Sequence, residues 1–225
     1  MYPVLIDIDS LQFRYPDTEF QLSIPSFRLG EGERVAVIGP SGSGKTTLLN
    51  LVAGILVPQQ GRVSVAGEEV SGNGDAERRD FRITRIGFVF QDFELIEYLN
   101  VLDNVLHPYR ITSALQLNPA VRKRAGSLLE QMGLGDKLKR GVETLSQGEK
   151  QRVAICRALL PSPKLVLADE ATGNLDPRNK AHIVDLLFEA VETHGASLLA
   201  VTHDHELLPR FDRTIDFSDF IDDLK

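Results

Sequence analysis

Gly39-Pro40-Ser41-Gly42-Ser43-Gly44-Lys45-Thr46-Thr47 decides how the rest of this chain is read. The stretch fits G-x-x-x-x-G-K-[ST], the P-loop pattern. Its glycines let backbone N–H groups turn inward and cradle phosphate oxygens. A helix beginning near Lys45 points its N-terminal dipole at the same anion. Lys45 then reaches the β- and γ-phosphates, and the Thr46 hydroxyl binds Mg²⁺. The flanks agree with this reading. Arg34-Val35-Ala36-Val37-Ile38 is a short apolar block, read as a buried strand of a mixed or parallel sheet. Residues 45–53 read as the following helix. A structural Gly/Ser turn is the bland alternative, and the strand before and helix after weigh against it.

Working outward, Val4, Leu5, Ile6, Ile8, Leu11, Phe13 and Tyr15, then Phe20, Leu22 and Ile24, alternate in the manner of β-structure. Strands are expected at 62–65 and 86–90, with a polar helix running to about Arg85. From Asp92 to about Pro161 the strand pattern stops, and helices are expected at 101–106 and 120–132. This stretch reads as an inserted helical subdomain. Strands return at 165–168, 197–201 and 213–217, with an amphipathic helix at 179–192 between them. Strand–helix alternation predicts an α/β sheet wrapped by helices.

The chain has 225 residues, 42% hydrophobic and 25% charged, which fits one globular domain and excludes collagen-like and disordered classes. Its net charge of −7 is opposite to that of proteins that grip a nucleic-acid backbone. Cys156 is the only cysteine, so no intramolecular disulfide forms. The best apolar run, Leu48 to Val57, contains Asn50 and falls short of the ~18 residues a membrane span needs. No signal peptide is expected, because no basic segment precedes an apolar one at the N-terminus. Arg122-Lys123-Arg124 is expected to be a solvated helix face.

A second motif is Leu165-Val166-Leu167-Ala168-Asp169-Glu170. An apolar strand ending in a carboxylate is the Walker B pattern. Asp169 is expected to hold Mg²⁺, directly or through water. Glu170 is where a carboxylate would polarise an attacking water.

A third stretch, Leu145-Ser146-Gln147-Gly148-Glu149 followed by Lys150–Leu159, resembles the signature of the ATP-binding-cassette (ABC) ATPases. Their pattern is L-S-G-G-Q with a helix behind it. Gln147 and Glu149 depart from it, while Ser146 and Gly148 keep it. The resemblance implies that this segment contacts the γ-phosphate bound to the opposite subunit. Glu149 then adds negative charge near an anion, expected to weaken the closed state. The resemblance also implies further roles. Gln91 matches the Q-loop glutamine, a contact for Mg²⁺ or the lytic water. His203 matches the switch histidine that bonds the γ-phosphate. Asp176 matches the D-loop, and Tyr15 the aromatic that stacks on adenine, with Phe13 nearby as the alternative. Cys156 is expected to be a small packing residue of the signature helix.

The implied fold is a P-loop NTPase with a RecA-like core, an antiparallel β part near the N-terminus and a helical subdomain. Residues 1–91 and 161–225 form the β part and core, and 92–160 the helical subdomain. The implied activity is ATP hydrolysis with Mg²⁺. The implied partners are a second copy, head to tail, and integral membrane subunits, with no nucleic acid. Thr172-Gly173-Asn174-Leu175-Asp176 and Ile86–Gln91 resemble the branch of lipoprotein-releasing, macrolide-exporting and cell-division ABC ATPases, whose partners have four spans. Ala171 replaces that branch's proline. The implied location is the inner face of the cell membrane, through a partner. Two other readings stand beside this one. One is a non-transport ABC ATPase regulating a membrane-bound cell-wall or signalling system. The other is a degenerate subunit that binds ATP structurally, motivated by Gln147 and Glu149.

Overall fold

Apolar residues on alternate positions commit the first two strands to one buried face. In β1 (Val4–Arg14), Ile6, Ile8, Leu11 and Phe13 point inward, and in β2 (Gln21–Gly30) Leu22, Ile24, Phe27 and Leu29 do the same. The computed structural model describes residues 3–171, 173 and 177–220. They fall into two compact units, Met1–Arg82 with Ser197–Lys225, and Ile83–Ala196.

In the first unit, β1 and β2 pair antiparallel, with Ile8 opposite Phe27 and Leu11 opposite Ile24. With β4 (Gln60–Val65) and β5 (Glu68–Glu69) they form an antiparallel sheet in the order β2-β1-β4-β5. β3 (Arg34–Ile38) pairs in parallel with β8 (Ser197–Val201) on one side and β9 (Arg213–Asp216) on the other. Being flanked twice, β3 buries Val35, Ala36 and Val37 completely, which is why it reads as a run rather than an alternation. The Asp212 carboxylate accepts from the Arg34 backbone N–H at 2.8 Å and from its guanidinium at 3.0 Å. Those bonds fasten the start of β9 to the start of β3 and hold the Asp212 carboxyl below its ordinary range. Between β3 and β4 lies α1 (Lys45–Val52), and α2 (Asp75–Arg85) follows β5.

In the second unit, β6 (Ile86–Val89) pairs in parallel with β7 (Leu165–Asp169). Three helices lie between them in sequence: α3 (Val101–Leu106), α4 (Pro119–Gln131) and α5 (Gln147–Leu159). α6 (Pro177–Thr193) follows β7 and buries Ile183, Val184, Leu187, Phe188 and Val191. β6 and α5 come unusually close. A Cβ at Gly87 would stand 2.6 Å from the Ala158 carbonyl oxygen, so this strand position takes only glycine. Asn100 and Asn118 cap α3 and α4 through their side chains.

Every strand and helix expected from the sequence is present, with ends displaced by one or two residues. β5 and several 3₁₀ turns are too short to leave a periodic signature. Arg122, Lys123 and Arg124 are all exposed, as expected, and what the sequence does not show is that the Arg124 guanidinium also reaches the Tyr109 hydroxyl at 2.8 Å and the Leu160 carbonyl.

Candidate nucleotide site

The loop after β3 ends at Gly44, which sits at φ +95° and serves as the N-cap of α1. No side chain caps this helix, and its first turn holds no acidic residue. Among the described residues its leading N–H groups have no side-chain acceptor, the arrangement that suits an incoming anion. Gly44 is required twice over. Its φ is left-handed, and a Cβ there would meet the Phe20 ring at 2.9 Å. The Lys45 ammonium bridges the carbonyls of Gly39 (2.9 Å) and Pro40 (2.7 Å) and approaches the Ser43 hydroxyl at 3.5 Å. It thus lies along the loop with its charge facing the phosphate cradle. Pro40, Ser41, Gly42 and Thr46 are exposed, while Ser43 and Thr47 are buried.

Tyr15 lies just past β1, in the same unit. Its hydroxyl shares a hydrogen bond with the buried Thr47 hydroxyl at 3.2 Å. Its ring packs edge-on to Phe13 at 4.9 Å and tilts against Phe20 at 5.6 Å. Phe13 is buried and so is not the surface aromatic; Tyr15 is the half-buried one. Phe20, read from sequence only as part of a strand alternation, precedes β2 and covers Gly44. Nothing local in the sequence marks it, because the contact spans twenty-four positions. His203 follows β8 on the exposed side of the chain, and Asp204 caps the 3₁₀ turn after it.

In the second unit, Asp169 ends β7, half-buried, and Glu170 follows at φ +45°. A left-handed glutamate after a strand is uncommon and bends the chain sharply. The turn closes through the Gly173 N–H, which donates to the Glu170 carbonyl at 2.8 Å. Gln91, just beyond β6, brings its side-chain amide to this turn, 3.3 Å from where a Cβ on Gly173 would be. The structure thus brings Gln91 beside the Glu170–Gly173 turn. Asp176 lies outside the described residues.

Ser146 is the N-cap of α5 and forms a complete capping box with Glu149. The Glu149 carboxylate accepts from the Ser146 N–H at 2.8 Å and from its hydroxyl at 3.0 Å. Lys137 reaches the same carboxylate and pairs with it. These hydrogen bonds, Lys137 first, pull the Glu149 carboxyl down to about 2. The negative charge expected to weaken the site is therefore matched by an ammonium that the sequence reading did not find. Gln147 is exposed, whereas Gly148 is buried.

The oxygen donors fit Mg²⁺ in kind: a hydroxyl on Thr46, a carboxylate on Asp169 and an amide on Gln91. Among the described residues no three His, Cys, Asp or Glu side chains cluster as a metal cage.

The family model described as ABC transporter matches residues 22–173, more than half of the chain. This chain belongs to the ABC transporter family. Its matched span holds the P-loop, Gln91, the signature stretch, Asp169 and Glu170. The lipoprotein-releasing system ATP-binding protein LolD of Pseudomonas fluorescens is 44% identical over 200 residues, covering 89% of this chain and 87% of that protein. The LolD of Hydrogenovibrio crunogenus is 38% identical, covering 95% and 93%. A solved dimer of the ATP-binding cassette MJ0796 in a post-hydrolysis state with ADP and Pi superposes with a TM-score of 0.81 at 33% identity, covering 94% of each chain. CbiO1 from Clostridium perfringens, part of the ABC transporter complex cbiONQ, gives 0.85 at 28% identity, covering 95% and 84%. The α/β P-loop fold of the ABC cassettes and its ATPase activity are those of this chain. Among the described residues no helix is long and apolar enough to cross a membrane.

Proposed function

We propose that this ABC ATPase drives a complex of the lipoprotein-releasing type, with two copies of the chain working beneath separate integral membrane subunits of the four-span kind. The observation that carries this reading is the 44% identity to LolD along nearly the whole of both chains. The chain then sits on the cytoplasmic face of the membrane through its partners. Residues 92–160 act as a helical subdomain carrying the signature, set into a core made of 1–91 and 161–225.

The phosphates of ATP take the place that the Lys45 ammonium now shares with the loop carbonyls. Gly39 and Ser41 through Thr47 supply backbone N–H groups, Pro40 shapes the loop between them, and Lys45 turns to the β- and γ-oxygens. Tyr15, steadied at its hydroxyl by Thr47, offers its ring to adenine. Thr46, Asp169 and Gln91 are the residues that would hold Mg²⁺, which would supply positive charge to the phosphate oxygens. Glu170 accepts the proton of the attacking water, and Gln91 orients that water. His203 donates to the γ-phosphate and senses its loss. Ser146, Gln147, Gly148 and Glu149 of the opposite copy close over the nucleotide, with Asp176 crossing the interface. Two sites related by a two-fold axis follow from this pairing, and ATP shifts the pair toward the closed state.

The test is to tag the chain, solubilise native membranes gently and identify what co-purifies. A four-span subunit with a large extracytoplasmic domain is expected. Recovery with a multi-span permease, or repeatedly alone, would overturn the branch reading.

A further inference from the structure

Two consecutive non-glycine residues, Phe93 at φ +61° and Glu94 at φ +48°, adopt the left-handed conformation. They stand two and three positions after Gln91. This conformation is unfavourable for any residue with a Cβ and persists only where its surroundings hold it. The holder is Arg157 of α5. Its guanidinium donates to the Phe93 carbonyl at 2.7 Å and to the Glu94 carbonyl. The planar fork of Arg suits two adjacent carbonyls, which a lysine ammonium does not match. Burial works against this cation and lowers its pKa, with the Glu94 carboxylate opposing that shift. His107, close by, is held below its ordinary range by burial and by Arg157 and Arg110, so at neutral pH it adds little like charge. The Phe93 side chain itself is buried.

These contacts join two pieces of the second unit. Ser146 caps α5 about three helical turns before Arg157. The turn it grips leads back to Gln91, whose amide lies against the Glu170–Gly173 turn. We propose that Arg157 is a positioning residue for Gln91: it holds the left-handed Phe93–Glu94 turn, and so ties the helix that begins at the signature serine to the segment presenting the glutamine. This rests on the ATPase site described above. Arg157 touches neither nucleotide nor water; it acts through the backbone of residues 93 and 94.

The experiment compares the full-length chain with R157Q, R157K, E94Q, E94G and the R157Q/E94G double variant. Steady-state hydrolysis of Mg-ATP gives kcat and KM separately, and hydrogen–deuterium exchange reads the amides of residues 91–96. R157Q is expected to lose about tenfold to a hundredfold in kcat, with KM changed by no more than about twofold. R157K is expected to fall between R157Q and wild type. Exchange over 91–96 is expected to rise by at least about tenfold in R157Q. Glycine tolerates the left-handed conformation, so E94G in the R157Q background is expected to recover much of the lost kcat. E94Q alone is expected to match wild type, because the carbonyl and not the carboxylate is gripped. Unchanged exchange in R157Q overturns the proposal whatever the ATPase shows. A loss of kcat that E94G leaves untouched, with ATP binding and thermal stability falling in parallel, also overturns it, since that is the mark of a general structural role. Raised exchange in a chain whose wild type hydrolyses no ATP would support the clamp and count against the ATPase reading instead.

Discussion

The carboxylate of Glu149 has three partners: the Lys137 ammonium, the Ser146 N–H and the Ser146 hydroxyl. Its folded pKa of about 2 lies below the ordinary 4.5. A depressed carboxyl stabilises the fold fully above its unfolded value and loses that contribution as pH falls through its folded one. Urea unfolding should therefore find wild type more stable than E149Q by roughly 1–2 kcal/mol at pH 7, after allowance for solvent screening. That gap should shrink between about pH 4.5 and about pH 2. An equal gap at pH 7 and pH 3 would show that the pair contributes nothing electrostatic. Cys156 gives a second test at this scale. Its thiol is buried and pushed up to about 12. A thiol reagent at pH 8 should leave the native chain unlabelled and react on unfolding, since only the thiolate is nucleophilic. Rapid labelling of native protein would contradict the packing role of this residue.

Elements here are held by polar side chains that the hydrophobic pattern does not reveal. Asn104 of α3 is fully buried and saturated. Its Oδ1 accepts from the Ile96 N–H at 2.7 Å, and its amide donates to the carbonyls of Ile96, Leu99 and Asn100. It thereby fixes the loop that leaves Gln91 and enters α3. Asn104→Leu would leave the part-buried Ile96 N–H without its acceptor, and should cost about 1–3 kcal/mol in chemical denaturation. Stability equal to wild type would mean that water replaces the amide. Gln151 of α5 is the opposite case. It is fully buried, yet among the described residues neither its amide oxygen nor its nitrogen has a hydrogen-bond partner. Gln151→Met keeps the length and removes the unpaired groups, so the unfolding midpoint is expected to rise by about 1 kcal/mol equivalent. A fall would mean that the amide finds a partner in solution. Neither residue stands out in sequence, because what distinguishes them is burial and not spacing.

For the whole molecule, the proposed function has one chain holding only half of each nucleotide site. Glu170→Gln removes the proposed base and keeps the nucleotide contacts. It should cut turnover by about 10²–10⁴-fold. It should also sediment at twice the monomer mass with ATP, and as monomer with ADP. Wild-type turnover from E170Q would remove Glu170 from its assigned role. The sequence by itself determined what is local and periodic. The phosphate loop, the strand ending in Asp169-Glu170 and the helix behind Ser146 are contiguous, and each follows from backbone needs or from a hydrophobic period of 2 or 3.6 residues. The strand and helix order followed from the same periods. Only the tertiary structure decided the contacts between distant stretches. These include Tyr15 rather than Phe13 at the surface, and Phe20 over Gly44. They also include Lys137 neutralising Glu149, and Arg157 gripping carbonyls more than sixty positions away. The reason is physical. A charge or a ring carries no mark of its partner until folding removes water from both and fixes the distance between them.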